Sequence, residues 1–409
     1  MTRSTRRAFV GGLVGTGLRA DRPRYGGTLA VAAGFPILAL TADPLVFEDG
    51  SGRARPGLAR EWSAGAGFRE WRFDLRGGVP THDGVALTAE VAAEALGKVL
   101  RGYRWSGSGN RIVAASERSS PALPAELAHA AAGIPGTGPF RTETYKPGKL
   151  ARVTAFEEYW NSRPYLDAVE LRFAGAGAAV SEIAPGDIRR ETQRGHRIHA
   201  TPPNDLVALV FDRTHPSARR ESIRRGLVAA IDRTPIANVI LQKQGEAAGG
   251  ILPGGVSGYG FLFSRERDLA GARRMLASAG EALPLGYDPA VAILKPIADR
   301  IALNAREAGL TIRTVDRAPA AVWLRRVAGL HTDPHLALAH YARGLELAEP
   351  APAESLEELY LRERTLLAGG WVAPLFHVSR VYSVAPEVRN WPGAGLPEWR
   401  FEDTWLNRR

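Results

Sequence analysis

A chain of 409 residues exceeds what one hydrophobic core serves, so two lobes are expected, and 45% apolar with 23% charged residues excludes a mainly disordered state. The net charge of +10 is nearly all arginine spread through every segment without basic blocks, so it reads as solvated surface and nucleic acid is not an expected partner. The lack of cysteine excludes disulfides, thiolate metal sites and thiol nucleophiles.

Residues 1–20 read as a targeting segment: Arg6 and Arg7 precede a glycine-rich, weakly apolar run too short to span a bilayer, a pattern that resembles a twin-arginine export signal. Residues 25–32 open the remaining chain as a short strand. Trp71, Phe73 and Leu75 alternate with Arg72, Asp74 and Arg76, the period of a strand with one buried face, and Gly65 and Gly67 let it pair with Glu61-Trp62 as a hairpin. His82-Asp83-Gly84 has turn chemistry. Thr88 then offers an N-cap to a helix with Glu90 in its first turn and Val91, Ala95 and Val99 on one face. Tyr103 and Trp105 with Gly107, Gly109 and Asn110 read as an exposed loop, and Arg111-Ile112-Val113 as a strand.

Gly138-Pro139 fixes a bend, after which Phe140, Thr142 and Thr144 run on as a strand. Residues 206–212 (LVALVFD) form an apolar run of buried-strand length. A helix over 218–231 follows, with Ile223, Leu227 and Ile231 at four-residue spacing. Thr234 is expected to cap the next helix, with Pro235 at its first position. Asp268 caps a helix that ends at Gly280. Residues 294–308 are amphipathic and stopped by Gly309, with a strand over 310–315, which makes an α/β unit. Residues 332–352 give no clear element, whereas 371–377 are apolar again.

Eight groups of residues together resemble one family. Gly57-Leu58-Ala59 with Trp62, the Trp71 to Val79 strand, His82-Asp83-Gly84 and Leu87-Thr88-Ala89-Glu90 come first. Gly136-Thr137-Gly138-Pro139-Phe140 leads to Tyr159-Trp160 and Pro164-Tyr165-Leu166-Asp167, and Ala229-Ala230-Ile231-Asp232-Arg233 closes the set. The succession is similar to that of the family 5 extracellular solute-binding proteins, the peptide and nickel receptors of ABC importers. The resemblance implies an α/β, two-lobed periplasmic binding protein of type II, of the large peptide-receptor-like class. It is shortened here at residues 34–55 and 102–133. Lobe I is expected over 25–203 plus 371–409 and lobe II over 204–370, with 371–377 as the return crossing. The implied function is capture of a peptide or similar small solute between the lobes and delivery to an inner-membrane ABC permease. The protein is expected as a periplasmic monomer without a cofactor, freely soluble for want of a lipidation cysteine.

The resemblance also implies site residues. Asp333 falls where peptide receptors place an acid for a ligand's α-ammonium, with which a carboxylate forms a charge-assisted bond; an exposed turn aspartate is the competing reading. Arg380 could meet a ligand carboxylate bidentately, and Trp371, Phe376 and Trp391 could wall the cleft, against plain core positions. The rival is a nickel or metal-chelate receptor using His331, His335 and His340, since neutral imidazoles suit such ions. Another rival is a sensor or scaffold that keeps the fold without transport. Enzyme motifs such as G-x-S-x-G, H-E-x-x-H and a Walker loop are absent from the sequence, so an enzyme is not expected.

Overall fold

The computed structural model describes residues 22–33, 37–49, 52–128, 133–172, 177–257, 264–351, 353, 355–392 and 400–407. Arg6 and Arg7 of the expected export signal lie outside them. Two large mixed sheets and a smaller third one organise the described residues. The first has seven strands in the order Phe140–Lys146, Leu150–Ala155, Ala168–Arg172, Thr28–Ala32, Val180–Ile183, Val381–Val384 and Arg197–Ala200. The second has six, in the order Gly245–Ala247, Val372–Val378, Asp205–Phe211, Val322–Val327, Leu283–Tyr287 and Ile312–Val315. The third joins the expected hairpin, Ala59–Ala64 with Glu70–Leu75, to Arg111–Ala115 and Arg104–Ser108. Residues 103–110 are therefore not a loop. Trp105 pairs with Ala114 in a hairpin that turns at Gly109, where φ is +58°.

Every residue of Asp205–Phe211 and of Val372–Val378 is buried. Such strands read as continuous apolar runs because both faces of their sheet are covered. Val207, Leu209 and Phe211 pack with Leu227 and Ile297 on one side; Leu206, Ala208 and Val210 pack with Ala337, Leu338 and Tyr341 on the other. Hydrogen bonds place Val372–Val378 antiparallel to Asp205–Phe211 in the second sheet. The return to the first sheet thus lies after that strand, at Ser379 and Arg380, not within residues 371–377 as the sequence suggests.

Four helical segments depart from expectation. Thr88 does cap Ala89–Val99, its hydroxyl accepting from Val91 N, but the buried face is Ala89, Ala92, Ala93 and Leu96, while Val91 and Val99 are about half exposed. The 218–231 helix is split by extended Arg220 into Pro216–Arg219 and Glu221–Ala230. Asp232, not Thr234, caps the following turn, accepting from Thr234 N at 3.1 Å. The unassigned stretch holds a helix, Pro334–Gly344, with proline at its first position, where a missing N–H costs nothing.

Two motif glycines are fixed by close backbone approach. A Cβ on Gly138 would stand 2.5 Å from Ala42 N, and one on Gly57 2.5 Å from the Pro44 carbonyl oxygen. Gly138→Ala and Gly57→Ala are each expected to lower the unfolding free energy by about 2 kcal/mol. Gly186→Ala, where the added atom meets nothing within 4 Å, should change it by less than about 0.5 kcal/mol. Urea melts of the three variants check this.

Candidate binding cleft

The two passages between the large sheets run side by side. Thr201 N donates to the Arg380 carbonyl at 2.9 Å, and Arg380 N donates to Thr201 Oγ1 at 2.9 Å. Next to them, Asp205 begins its strand with a buried carboxylate. Its Oδ2 accepts from Arg326 Nε at 2.8 Å and from Arg380 Nε at 2.9 Å, and its Oδ1 accepts from Arg380 Nη2 at 3.1 Å and Gly329 N at 2.9 Å. Burial alone would raise the Asp205 pKa; the guanidinium groups of Arg380 and Arg326 outweigh it and hold the carboxyl below the usual aspartate range. Arg326 also donates to Glu182 Oε1 at 2.9 Å, which links the second sheet to strand Val180–Ile183 of the first.

A second link between the lobes lies at Thr332, whose hydroxyl donates to Glu48 Oε1 at 2.7 Å. Burial pushes the Glu48 carboxyl up, as do the negative charges of Asp333 and Asp49, against the Thr332 hydrogen bond. Glu126 is likewise raised by burial and by Asp333, while it accepts from Tyr103 OH at 3.0 Å. Carboxylates of both lobes thus act on one another here, an arrangement able to meet a positively charged group of a guest.

Among the residues expected to bind ligand, Asp333 caps Pro334–Gly344. Its Oδ1 accepts from His335 N at 2.9 Å and Leu336 N at 3.0 Å, so the side chain is held in place at the edge of this acidic group. Arg380 is already neutralised by Asp205 beside the two passages, which corrects its expected role toward a ligand carboxylate. Phe376 is 0% exposed within the second-lobe core. Trp391 is 8% exposed and packs on Phe401 with ring centroids 5.2 Å apart. Both are core residues rather than cleft walls: every residue of the Phe376 strand is buried, and Trp391 belongs to the apolar core of the first sheet. Trp371 precedes the far end of Val372–Val378, with Arg224 stacked on its ring at 3.8 Å.

His331 and His340 meet edge to face at 5.4 Å, and His340 Nε2 lies 2.9 Å from the Ala328 carbonyl oxygen. His335 sits in the first turn of the capped helix. The described residues hold no group of three or more His, Cys, Asp or Glu placed to grip a metal ion, so the three histidines are not gathered into the metal site that the rival reading needs. A trio elsewhere, buried Ser383 and Glu191 with partly exposed His196, does not form a nucleophile relay. One ring nitrogen, His196 Nδ1, faces both Ser383 Oγ at 2.7 Å and Glu191 Oε2 at 3.3 Å, whereas relaying a proton requires the two nitrogens to face different partners.

Asp205, Arg326, Glu182, Glu48 and Glu126 escaped the sequence reading. For Asp205 a signal exists, since an acid opening an otherwise apolar buried run needs a cationic partner.

Asp205→Ala leaves the mostly buried Arg380 guanidinium without its anion and Arg326 with Glu182 alone, and is expected to cost about 3–5 kcal/mol in denaturant melts. Because the native carboxyl titrates below its unfolded value, the wild type should lose this contribution as pH falls from the unfolded-state aspartate range through the lower folded value, a loss missing from the variant. Glu48 has the opposite sign: its penalty is absent at low pH and grows as pH rises through the raised value. Glu48→Gln should therefore raise the melting temperature by about 1–2 °C at pH 7.5 and leave it unchanged at pH 4; scanning calorimetry at both pH values checks it.

The sequence profile of the bacterial extracellular solute-binding proteins, family 5 Middle, matches residues 110–329. The oligopeptide-binding protein AppA of Bacillus subtilis (strain 168) is 27% identical over 125 residues, 28% of this chain and 23% of that protein. The probable di/tripeptide-binding protein 5 of Pseudomonas aeruginosa (strain UCBPP-PA14) is 22% identical over 305 residues, 58% of each chain. The alignments therefore span less than two thirds of these relatives' length. Among solved structures, the dipeptide binding protein from pseudoalteromonas sp. SM9913 in complex with Met-Leu superposes with a TM-score of 0.82 at 15% identity, over 93% of this chain and 100% of that one. NikA from Staphylococcus aureus in complex with Ni(L-His)2 does so at 0.80 and 14%, with the same coverage. These likenesses establish the two-lobed peptide-receptor-like fold. With the profile covering more than half of the sequence, the chain belongs to the family 5 bacterial extracellular solute-binding proteins.

Proposed function

We propose that the protein is the solute-capturing component of an ABC importer. It holds a peptide or similar small solute between its lobes and delivers it to a permease in the inner membrane. The observation that carries this reading is the pair of adjacent, mutually bonded passages between two sheets, with links at Thr332 and Arg326 from one lobe to the other. Two covalent strands joined at one edge let the lobes turn as a clamp, and a guest gains affinity by replacing water between them. In this reading lobe I comprises residues 25–203 and the segment after Val378, lobe II is the chain between, and residues 1–20 direct export to the periplasm. The protein acts there as a monomer, and no catalytic step is required.

The acidic residues gathered at Asp333 favour a guest with a free amino group. The likeness to a NikA structure supports a second reading, a metal-chelate receptor. There the ion would arrive already wrapped by small ligands, since the described residues offer no ready set of donors.

Titration calorimetry with a panel of dipeptides and tripeptides, together with small-angle scattering, tests the proposal. Binding is expected with a smaller radius of gyration in the complex, while binding of nickel–histidine complexes and of no peptide would favour the second reading. Asp333→Asn retains the helix cap but not the charge. It is expected to weaken a free-amino peptide about tenfold, as loss of one charge-assisted bond does, and to leave an N-acetylated peptide unaffected. Equal loss for both peptides would remove Asp333 from ligand recognition.

A further inference from the structure

The second lobe carries a cavity of about 360 Å³ that the interlobe clamp does not use. It opens where strands Asp205–Phe211, Val322–Val327 and Val372–Val378 end away from the passages. Val210 pairs with Val372 there, five residues along from the Asp205 and Val378 pair at the hinge. That is about 17 Å along the strand.

Two indoles shape this cavity, and both are fixed from behind. Trp323 lies flat across the neighbouring strand at Gly286, where a Cβ would stand 2.6 Å from Trp323 Cε3. Any side chain at Gly286 would push the indole outward and fill the space. Trp371 is backed by the Arg224 guanidinium, 3.8 Å from the ring centroid. Arg224 is 6% exposed and is itself held by the carbonyl oxygens of Ala218 at 2.8 Å, Arg219 at 2.9 Å and Gly369 at 3.1 Å. Val210 and Val372 add an aliphatic floor, and Leu345 and Leu347 face them from the loop after Pro334–Gly344.

The charges at the rim are unevenly satisfied. Arg325 donates to Glu346 at 2.7 Å, and Asp212 accepts from Thr214 N at 2.8 Å and its hydroxyl at 2.7 Å. Arg213 has no carboxylate partner among the described residues and lies over the Trp371 ring, 5.2 Å from its centroid. A pocket near the small end of the range that encloses organic ligands, edged by two indoles and by a cation with no carboxylate partner among the described residues, suits a flat ring bearing one anionic group. The ring would stack or lie edge-on to the indoles, and the anion would take the forked donors of Arg213.

We infer that the second lobe has a separate binding site for small aryl carboxylates, formed by Trp323, Trp371 and Arg213, distinct from the cleft between the lobes. Such a site would let the receptor respond to a second solute without surrendering its cargo.

Indole-3-acetate is the probe, with tryptamine and indole as the cationic and neutral comparisons, measured by titration calorimetry on the full chain. Indole-3-acetate is expected to bind at least tenfold more tightly than either. Arg213→Gln, at an exposed side chain, should cost about tenfold for indole-3-acetate and leave indole unchanged. Leu347→Trp, which fills the cavity, should abolish binding of both, with unaltered circular dichroism reporting an intact fold. Absence of indole-3-acetate binding at millimolar concentration overturns the inference, as does binding that survives both substitutions. Competition separates it from the importer reading: a cleft-bound peptide should leave the probe's affinity unchanged, and displacement by peptide would place the probe in the cleft and defeat the proposal. Failure to find any peptide ligand leaves the indole-3-acetate titration equally decisive.

Discussion

One buried carboxylate constrains everything around it. Asp205 is removed from water at the point where the chain leaves the first sheet, and an unpaired charge there would cost several kcal/mol. Arg380 answers it from the returning passage and Arg326 from the neighbouring strand, and Arg326 reaches on to Glu182 in the first lobe. The two passages are held together by this exchange. Tyr341 adds its hydroxyl to the Asn204 carbonyl beside the same point, which anchors the helix that Asp333 begins.

The elements that reported themselves in the sequence are those whose pattern and environment agree. Glu70–Leu75 alternates and has one face buried. Asp205–Phe211 and Val372–Val378 are continuous apolar runs and lie at the centre of a covered sheet. The helix at Ala89–Val99 was legible in extent but not in orientation. Valines and alanines each recur at helical spacing, and the small residues won the core because the strand Arg104–Ser108 comes so close that a Cβ at Gly107 would stand 2.1 Å from the Ala89 carbonyl oxygen. Pro334–Gly344 was hidden by its histidines, although an aspartate before a proline is itself a helix-start signal. Arg380 was misread for a different reason. Its partner lies 175 residues away, and no local pattern distinguishes an arginine already neutralised by the fold from one waiting for a ligand.

A second buried network ties the late chain to the early chain. Asp43, 0% exposed, accepts from Tyr159 OH at 2.8 Å, Trp160 Nε1 at 2.6 Å and Arg400 Nη1 at 3.1 Å. Arg400 also lies over the Phe47 ring at 4.0 Å. Tyr159 and Trp160 belong to one of the passages that marked the family, and the network gives that passage a physical purpose: it seats a distant segment on the first lobe by charge and ring contacts. Family signatures here record mainly how the scaffold is closed, which is why they identified the fold more readily than the guest.

The seven-stranded sheet has a consequence for the order in which the molecule is made. Val381–Val384 sits between Val180–Ile183 and Arg197–Ala200, so an interior position of that sheet stays vacant while about two hundred further residues leave the ribosome. Until the last strand arrives, its two neighbours present open edges that invite pairing with other chains. Pairing between nascent chains therefore competes with folding until Val381–Val384 has emerged.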